Sequence, residues 1–433
     1  MSLHRCWLLL AAGSLAALSP LAGAQQGGDV SMETALLDIL REKGLIDATQ
    51  YDELMKLARE RADQRSNETT LIEASLQRLA APDVQARGGT PTRLLFRSPD
   101  GKWSLGLRGE IQARLEDFNS EDDTKDGTNF SIPRARIITE GTAGAPNVRY
   151  KLMLDMPTNS KIVDPAADAT TNVRDAYVDW GFTQGNLHSL RFGQFKFPFG
   201  REMLTSTSQI SFPDISIAAT EFAPNYEPAA MFQGQLGDDL FEYQVAAANG
   251  EGRGKNNTAG ETKDGLREGV RVVFNPLGPV KNEGPAFQTI ADSSLRLSLG
   301  AAFMRNEDSS ALATTTVGSK TETGNLEASL YFGPLSLLAE VYDRTTDADT
   351  GDLEDLGRTL QAGFFFVPEK WEVVARYSGV DYDAKDDAEE RTLGLNWYVD
   401  RHNGKWQVDW SRLDNEGTTP DATRWRLQYQ VLF

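Results

Sequence analysis

Arg134 and Arg136, Arg149 and Lys151, and Arg424 and Arg426 stand two residues apart, a spacing that sets each pair on one face of a β-strand. Guanidinium and ammonium groups held in such rows suit anions, because fixed donors replace part of the water an anion gives up. Nucleophilic catalysis has less to work with. His188 adjoins Ser189 only in sequence, and His188 and His402 both fall in short turns, which does not make a nucleophile and base. The run Gly250-Glu251-Gly252-Arg253-Gly254-Lys255 lacks the Gly-Lys-Ser/Thr ending of a phosphate loop and reads as a flexible loop. The acidic stretches 347–355 and 381–390 could attract divalent cations, but neither has calcium-loop spacing. No catalytic residue, metal site or cofactor is expected.

The elements that must carry these rows are strands. From Lys102 onward the hydrophobic pattern has period two, over 102–119, 130–142, 147–156, 172–183, 188–199, 228–236, 240–249, 265–275, 294–306, 323–332, 335–346, 357–367, 371–382, 391–400, 404–414 and 423–433. That is sixteen strands, an even number. In the last of them Trp425, Leu427, Tyr429, Val431 and Phe433 share one parity, opposite Arg424, Arg426, Gln428 and Gln430. A chain that ends on an amphipathic strand fits a barrel whose last strand closes on its first.

Connection lengths alternate. Links 183–187, 237–239, 333–334 and 368–370 are short, while 120–129, 157–171, 250–264, 307–322 and 345–356 are longer and polar, as in outer-membrane barrels. The link 276–293 breaks this rule by being long on the short-turn side. Trp103, Trp180, Trp371, Trp397 and Trp406 all stand near short turns, where an interfacial girdle would place them.

A barrel gives each strand a lipid face, such as Trp103, Leu105, Leu107, Ile111 and Leu115, or Leu393, Leu395 and Trp397, and a polar lumen face. The lumen bases are then Lys102, Arg108, Arg114, Arg134, Arg136, Arg149, Lys151, Arg267, Arg271, Arg296, Arg376, Arg424 and Arg426. Facing them are the acids Glu110, Glu116, Asp155, Asp175, Asp179, Glu242, Glu327, Glu340, Glu372 and Asp409. Thirteen bases against ten acids leaves two readings open: an anion pathway, or groups that neutralise one another across a wet interior.

The chain before the barrel is of a different kind. Residues 1–24 read as a secretory signal peptide: Arg5, an apolar run from Cys6, then Ala22-Gly23-Ala24. Its removal takes the only cysteine, and with Arg5 it takes the formal charge from −19 to −20. So acidic a product argues against a nucleic-acid partner. No continuous apolar run downstream is long enough for a transmembrane helix. Residues 25–81 read as a helical hairpin, with Met32, Leu36, Leu37 and Leu40 on one face, Gly44 as its stop, an Asp47–Gln50 capping box opening the second helix, and Ile72, Leu76 and Leu79 in a third turn. Residues 82–101 read as linker and 102–433 as the barrel.

The segment 172–202, with Arg174-Asp175-Ala176-Tyr177-Val178-Asp179 and the strand Arg191-Phe192-Gly193-Gln194-Phe195-Lys196 running on to Pro198-Phe199-Gly200, resembles the phosphate-selective porin O and P family. LTSTSQISFPD (204–214) and Ala247-Ala248-Asn249-Gly250 extend the resemblance, which reaches the terminal Phe433. It implies an all-β, 16-stranded antiparallel transmembrane β-barrel with a short N-terminal α-helical segment, a homotrimer in the bacterial outer membrane, and passive diffusion of small anions such as phosphate. The loop 201–227 would fold inward as the constriction. Lys196 and Arg201 would contact the anion, with the lumen bases continuing its path; a bulge near Gly193 would set the direction of Lys196. Partners so implied are outer-membrane lipids and lipopolysaccharide and the barrel-insertion machinery, for which Phe433 resembles the insertion signal. The acids among the lumen residues, with Glu221 and Glu227 in the loop, suit a general, non-selective porin equally well. A barrel with a plugged lumen and a structural or enzymatic role, and a soluble periplasmic sandwich, are the other readings.

Overall fold

The computed structural model describes residues 32–60, 94–122, 126–156, 172–183, 187–254, 265–280, 284, 287–291, 293–307, 320–347, 351–417 and 419–433. The signal peptide, the third helical turn and most of the linker lie outside the described residues. The chain divides into two units, 1–80 and 81–433.

In the first unit the helix Met32–Glu42 stops where anticipated. Gly44 takes a left-handed φ of 67°, and Leu45 N donates to Leu40 O at 2.9 Å, which satisfies a carbonyl the helix end would leave bare. Residues 48–60 are helical again. Asp47 N donates to Gln50 Oε1 (3.1 Å) and Gln50 N to Asp47 Oδ1 (2.9 Å), a reciprocal capping box.

The second unit is a closed barrel preceded by one short strand. In chain order the strands are β1 (Leu94–Arg97), β2 (Ser104–Ser120), β3 (Gly127–Thr142), β4 (Val148–Asp155), β5 (Asn172–Gly181), β6 (His188–Lys196), β7 (Tyr226–Leu236), β8 (Phe241–Ala248), β9 (Arg267–Phe274), β10 (Leu295–Glu307), β11 (Lys320–Phe332), β12 (Leu335–Thr346), β13 (Leu353–Val367), β14 (Trp371–Asp381), β15 (Ala388–Asp400), β16 (Gly404–Asn415) and β17 (Ala422–Leu432). β2 to β17 are the sixteen strands of the barrel, each antiparallel to its sequence neighbour, and β17 returns to β2 from Ala422↔Ser120 to Leu432↔Glu110. Closure removes the bare sheet edges that would otherwise invite pairing with other chains.

The seam ends on Phe433, whose N–H donates to Gly109 O (3.0 Å) while its carbonyl accepts from Gly109 N (2.6 Å). The Phe433 ring lies so close over Gly109 that a Cβ there would overlap it. Beyond the seam, β2 continues, and β1 pairs with it from Leu94↔Leu107 to Arg97↔Ser104. Residues 94–97 are thus strand, where the sequence reads as linker: four residues are too few to show a period.

The outward face is the apolar one. Leu107, Ile111, Leu299, Phe303, Leu360, Leu393 and Leu395 are all exposed, and buried polar side chains of opposite parity adjoin several of them. Glu110 and Gln112 lie beside Ile111, Ser298 beside Leu299, Thr359 and Gln361 beside Leu360, Thr392 beside Leu393 and Asn396 beside Leu395. The girdle holds at the short-turn end, where Trp103, Trp180, Trp397 and Trp406 are exposed and Trp371 stacks on Trp397 with centroids 5.5 Å apart. Several strands run further toward the long loops than the hydrophobic pattern does. β3 starts at Gly127, β11 at Lys320, β13 at Leu353 and β15 at Ala388. Apart from Leu353 and Leu356 on β13, these extensions carry small or polar residues on both faces, as expected of strand ends that stand clear of a bilayer.

Pairing continues through Gly193, as Tyr177↔Gly193 and Ala176↔Gln194. The register shift lies one strand pair away, between β4 and β5 at Leu152/Leu154. No residue is inserted at Gly193, but its φ of 124° is one that glycine alone takes readily. Past it Gln194 is buried although Phe192, of the same parity, is exposed. Irregular backbone at Gly193, without a register shift, thus re-aims the residues that lead to Lys196.

Candidate anion pathway

Where β6 ends, the chain leaves the wall and enters the barrel. Phe195, Phe197 and Phe199 are buried together with Met203, Ala218, Ala219 and Phe222 against wall residues Met231, Ala246, Met304 and Tyr342. Residues 197–225 contain two short helices, Arg201–Leu204 and Ile217–Phe222. Ser216 caps the second, accepting from Ala219 N at 3.2 Å. Phe222 stacks on Tyr342 with centroids 5.5 Å apart.

Polar ties fix the loop around much of the wall. On β16 and β17, Lys405 Nζ donates to Ile210 O (2.8 Å), Gln407 to Ser211 O (2.9 Å) and Gln430 to Ser208 O (3.0 Å). Asn396 on β15 reaches Ser211 O (2.8 Å), and Ser378 on β14 accepts from Ala218 N (3.1 Å). Glu340 on β12 accepts from Arg201 N (2.5 Å) and Glu202 N (3.3 Å) while Tyr342 donates to its other oxygen (3.0 Å). Buried donors that a helix start leaves without intrahelical partners are thereby met by a wall carboxylate.

One acid that the sequence did not single out holds the centre. Asp214 accepts two hydrogen bonds from Arg114 (2.7 and 3.1 Å), one from Arg134 (2.9 Å) and one from Arg426 (2.9 Å). Burial pushes its carboxyl up, but the charges of Arg114, Arg134 and Arg426 outweigh that and hold it well below the usual carboxylate range. Arg376 adds a bond to Asp214 O (2.9 Å) and one to Glu202 (3.2 Å). At the outer edge Glu221 pairs with Arg344 at 2.8 Å. There too burial raises the carboxyl and Arg344 more than compensates.

The nominated bases therefore divide by what they touch. Arg114, Arg134, Arg136, Arg376 and Arg426 are struts of the loop, Arg136 through Thr207 Oγ1 at 2.8 Å. Lys196 turns inward and donates to Met203 O (2.6 Å) and Thr205 O (2.9 Å). Arg201 donates to Ser298 (2.6 Å) and pairs with Glu327 at 3.3 Å. Arg267 pairs with Glu227, Arg271 with Glu327, Arg424 with Glu390 at 2.8 Å, and Arg296 donates to Ser294 at 3.2 Å. Toward the short-turn mouth Arg108 faces Glu140 at 3.6 Å, Arg149 faces Asp179 at 3.8 Å and Lys151 pairs with Asp175 at 2.7 Å. Lys102 is exposed beside Asp100.

Four further bases were missed: Lys405 and Arg344, which hold the loop, and Arg174 and Arg191, which pair along the wall. Arg174 pairs with Asp155 at 3.1 Å, and Arg191 grips Asp179 through two bonds (2.7 and 2.9 Å) above the Tyr177 ring. Both stand in the segment that carries the family resemblance, which was the available signal. His188 and Ser189 point to opposite faces of β6: His188 Nδ1 lies 2.8 Å from Tyr243 Oη, while Ser189 is buried and accepts from Gln233.

Residues 105–431 match the family model described as phosphate-selective porin O and P. An uncharacterised protein of Aquifex aeolicus (strain VF5) is 28% identical over 286 residues, 60% of this chain and 68% of that protein. Among solved structures, the anion-selective porin from Comamonas acidovorans aligns with 76% of this chain and 100% of its own at 16% identity and a TM-score of 0.53. The outer membrane channel DcaP of Acinetobacter baumannii aligns with 78% and 99% at 11% identity, also with a TM-score of 0.53. At these identities the two structures speak for the barrel fold.

Proposed function

Because this chain belongs to the phosphate-selective porin O and P family and is an outer-membrane porin, we propose that it lets small anions, phosphate among them, diffuse passively through its lumen, and that it is a channel and not an enzyme. The observation that carries the proposal is the division of labour among the bases. The polar ties of the inward loop run to β2, β3, β6 and β10 to β17, and its phenylalanines pack on β7 to β9, which leaves the passage along β4 and β5. Arg108, Arg149, Lys151, Arg174 and Arg191 border that side. A guanidinium that shares one carboxylate still has donors left for a passing anion.

On this reading the loop is the constriction, its place set by Asp214 and Glu202. Lys196 and Arg201 act in the anion path by holding the loop's root. The homotrimer, contact with lipopolysaccharide, and Phe433 as the feature read by the insertion machinery accompany the family reading.

The test is conductance of the purified protein in planar bilayers, with reversal potential measured under a potassium chloride gradient. Anion preference and block of chloride current by phosphate are the expected results. Cation preference would overturn the anion reading, and absence of conductance would favour a plugged barrel. Recovery in the soluble periplasm after fractionation would sink the porin assignment.

A further inference from the structure

The short-turn mouth holds a cavity of about 390 Å³, within the roughly 300–1,000 Å³ typical of small-molecule sites. Its wall is made by five barrel strands, β2 to β6, and by β1, through Leu95 and Arg97. Four bases face it, Arg97, Arg149, Lys151 and Arg191, against two acids, Glu140 and Asp179. Asp179 is committed to Arg191, and Arg149, whose side chain is 45% exposed, reaches it only at 3.8 Å. Lys151 is held by Asp175 at 2.7 Å, so four bases stand against three acids, and the loosely held Arg149 guanidinium is able to turn toward a ligand.

Charge is half of its chemistry. Leu95 and the rings of Tyr150 and Tyr177 supply apolar surface beside the bases, and Tyr150 is held in place by donating to Ser104 O at 3.1 Å. Tyr177 lies beneath Arg191, whose Cζ is 3.9 Å from the ring centroid. An inorganic oxyanion, comparable with about two waters at ~30 Å³ each, fills little of such a space and makes no use of its carbon-lined side.

We propose that this cavity binds small organic anions, molecules with a phosphate or carboxylate head set among Arg97, Arg149 and Arg191 and a carbon body against Leu95, Tyr150 and Tyr177. The proposal deepens the anion-channel reading and rests on it for its physiological meaning: β1, outside the barrel proper, completes a site that biases the pore toward organic over inorganic anions.

The full-length protein in planar bilayers carries the test, with phenyl phosphate and inorganic phosphate added to each side in turn. Phenyl phosphate is expected to interrupt the chloride current at about a tenth of the concentration that inorganic phosphate needs, by the burial of one ring. Leu95→Ser is expected to narrow that preference, and Arg97→Gln to weaken block by both anions at least threefold. Both positions lie on a strand outside the closed barrel, and the heat-modifiable gel mobility of each variant verifies its fold. Equal block by the two anions in the unmodified protein would overturn the proposal, as would block left unchanged by both substitutions. If the unmodified protein carries no chloride, the channel reading fails separately, and calorimetric titration of the detergent-solubilised protein with phenyl phosphate still decides the pocket: binding lost in Arg97→Gln upholds it, and no binding refutes it.

Discussion

Asp214→Asn keeps the shape of the loop's central side chain and removes its charge. Four hydrogen bonds from three guanidiniums end on that carboxylate. A bond to a charged group contributes about 1 kcal/mol more than a neutral one, so four of them put the upper limit of the loss near 4 kcal/mol. Asp214 is 34% exposed, and screening by lumen water brings the expectation down to about 2 kcal/mol. Arg426 retains Asp409, but Arg134 loses its carboxylate.

Two changes should follow in single-channel recordings. The loop, held less firmly, should raise open-channel current noise. The lumen should also gain one positive charge at its centre, where an interaction of about 1 kcal/mol at ~4 Å in water corresponds to roughly a fivefold rise in the anion-to-cation permeability ratio. Reversal potential under a potassium chloride gradient measures the second effect directly. A quiet channel with unchanged reversal potential would refute the view that Asp214 both anchors the loop and offsets the arginines.

Other expectations concern acid, the loop's root and the seam. Because the folded pKa of Asp214 is depressed, its contribution is present at and above the ordinary carboxylate range and is lost only as pH falls through the lower folded value. Conductance should therefore show no Asp214-dependent step between pH 7 and 4, and any step below that range should vanish in Asp214→Asn; a midpoint between pH 5 and 7 abolished by that substitution would contradict the assignment. Lys196→Met strands the carbonyls of Met203 and Thr205, at a cost of about 2–4 kcal/mol to the loop's root, and should expose the loop to protease while the barrel stays heat-modifiable. Gly109→Val forces the Phe433 ring away, an overpacking worth about 1–3 kcal/mol, and should lower the fraction of protein recovered as folded barrel.

The strands were legible because a wall with lipid on one side and water on the other imposes period two, and Leu393, Leu395 and Trp397 show it without interruption. The Asp47–Gln50 capping box was legible for a similar reason: both partners lie within one turn. The ion pairs were not. Whether Arg426 meets Asp409 depends on the register between β16 and β17, and whether it meets Asp214 depends on how a loop more than two hundred residues earlier in the chain folds into the lumen. Arg114, Arg134 and Arg426 accordingly look the same in sequence as Arg149, although three are tied to the loop and the fourth stands at the mouth. Strand ends such as those at Lys320 and Ala388 stayed hidden because, clear of the bilayer, neither face needs to be apolar.

The ties of residues 197–225 also have a mechanical consequence. Arg114 and Arg134 hold Asp214 from β2 and β3, while Glu340, Ser378 and Asn396 hold the same loop from β12, β14 and β15. A sheet rolled into a wide cylinder ovalises easily, since bending it leaves its ladder of backbone bonds intact. Here an internal tie-rod of fixed length spans from one arc to another, so squeezing the wall must break charged contacts. The cross-section, and with it the calibre of the pore, is then set by the protein and stays indifferent to the lateral pressure of whichever lipids surround it.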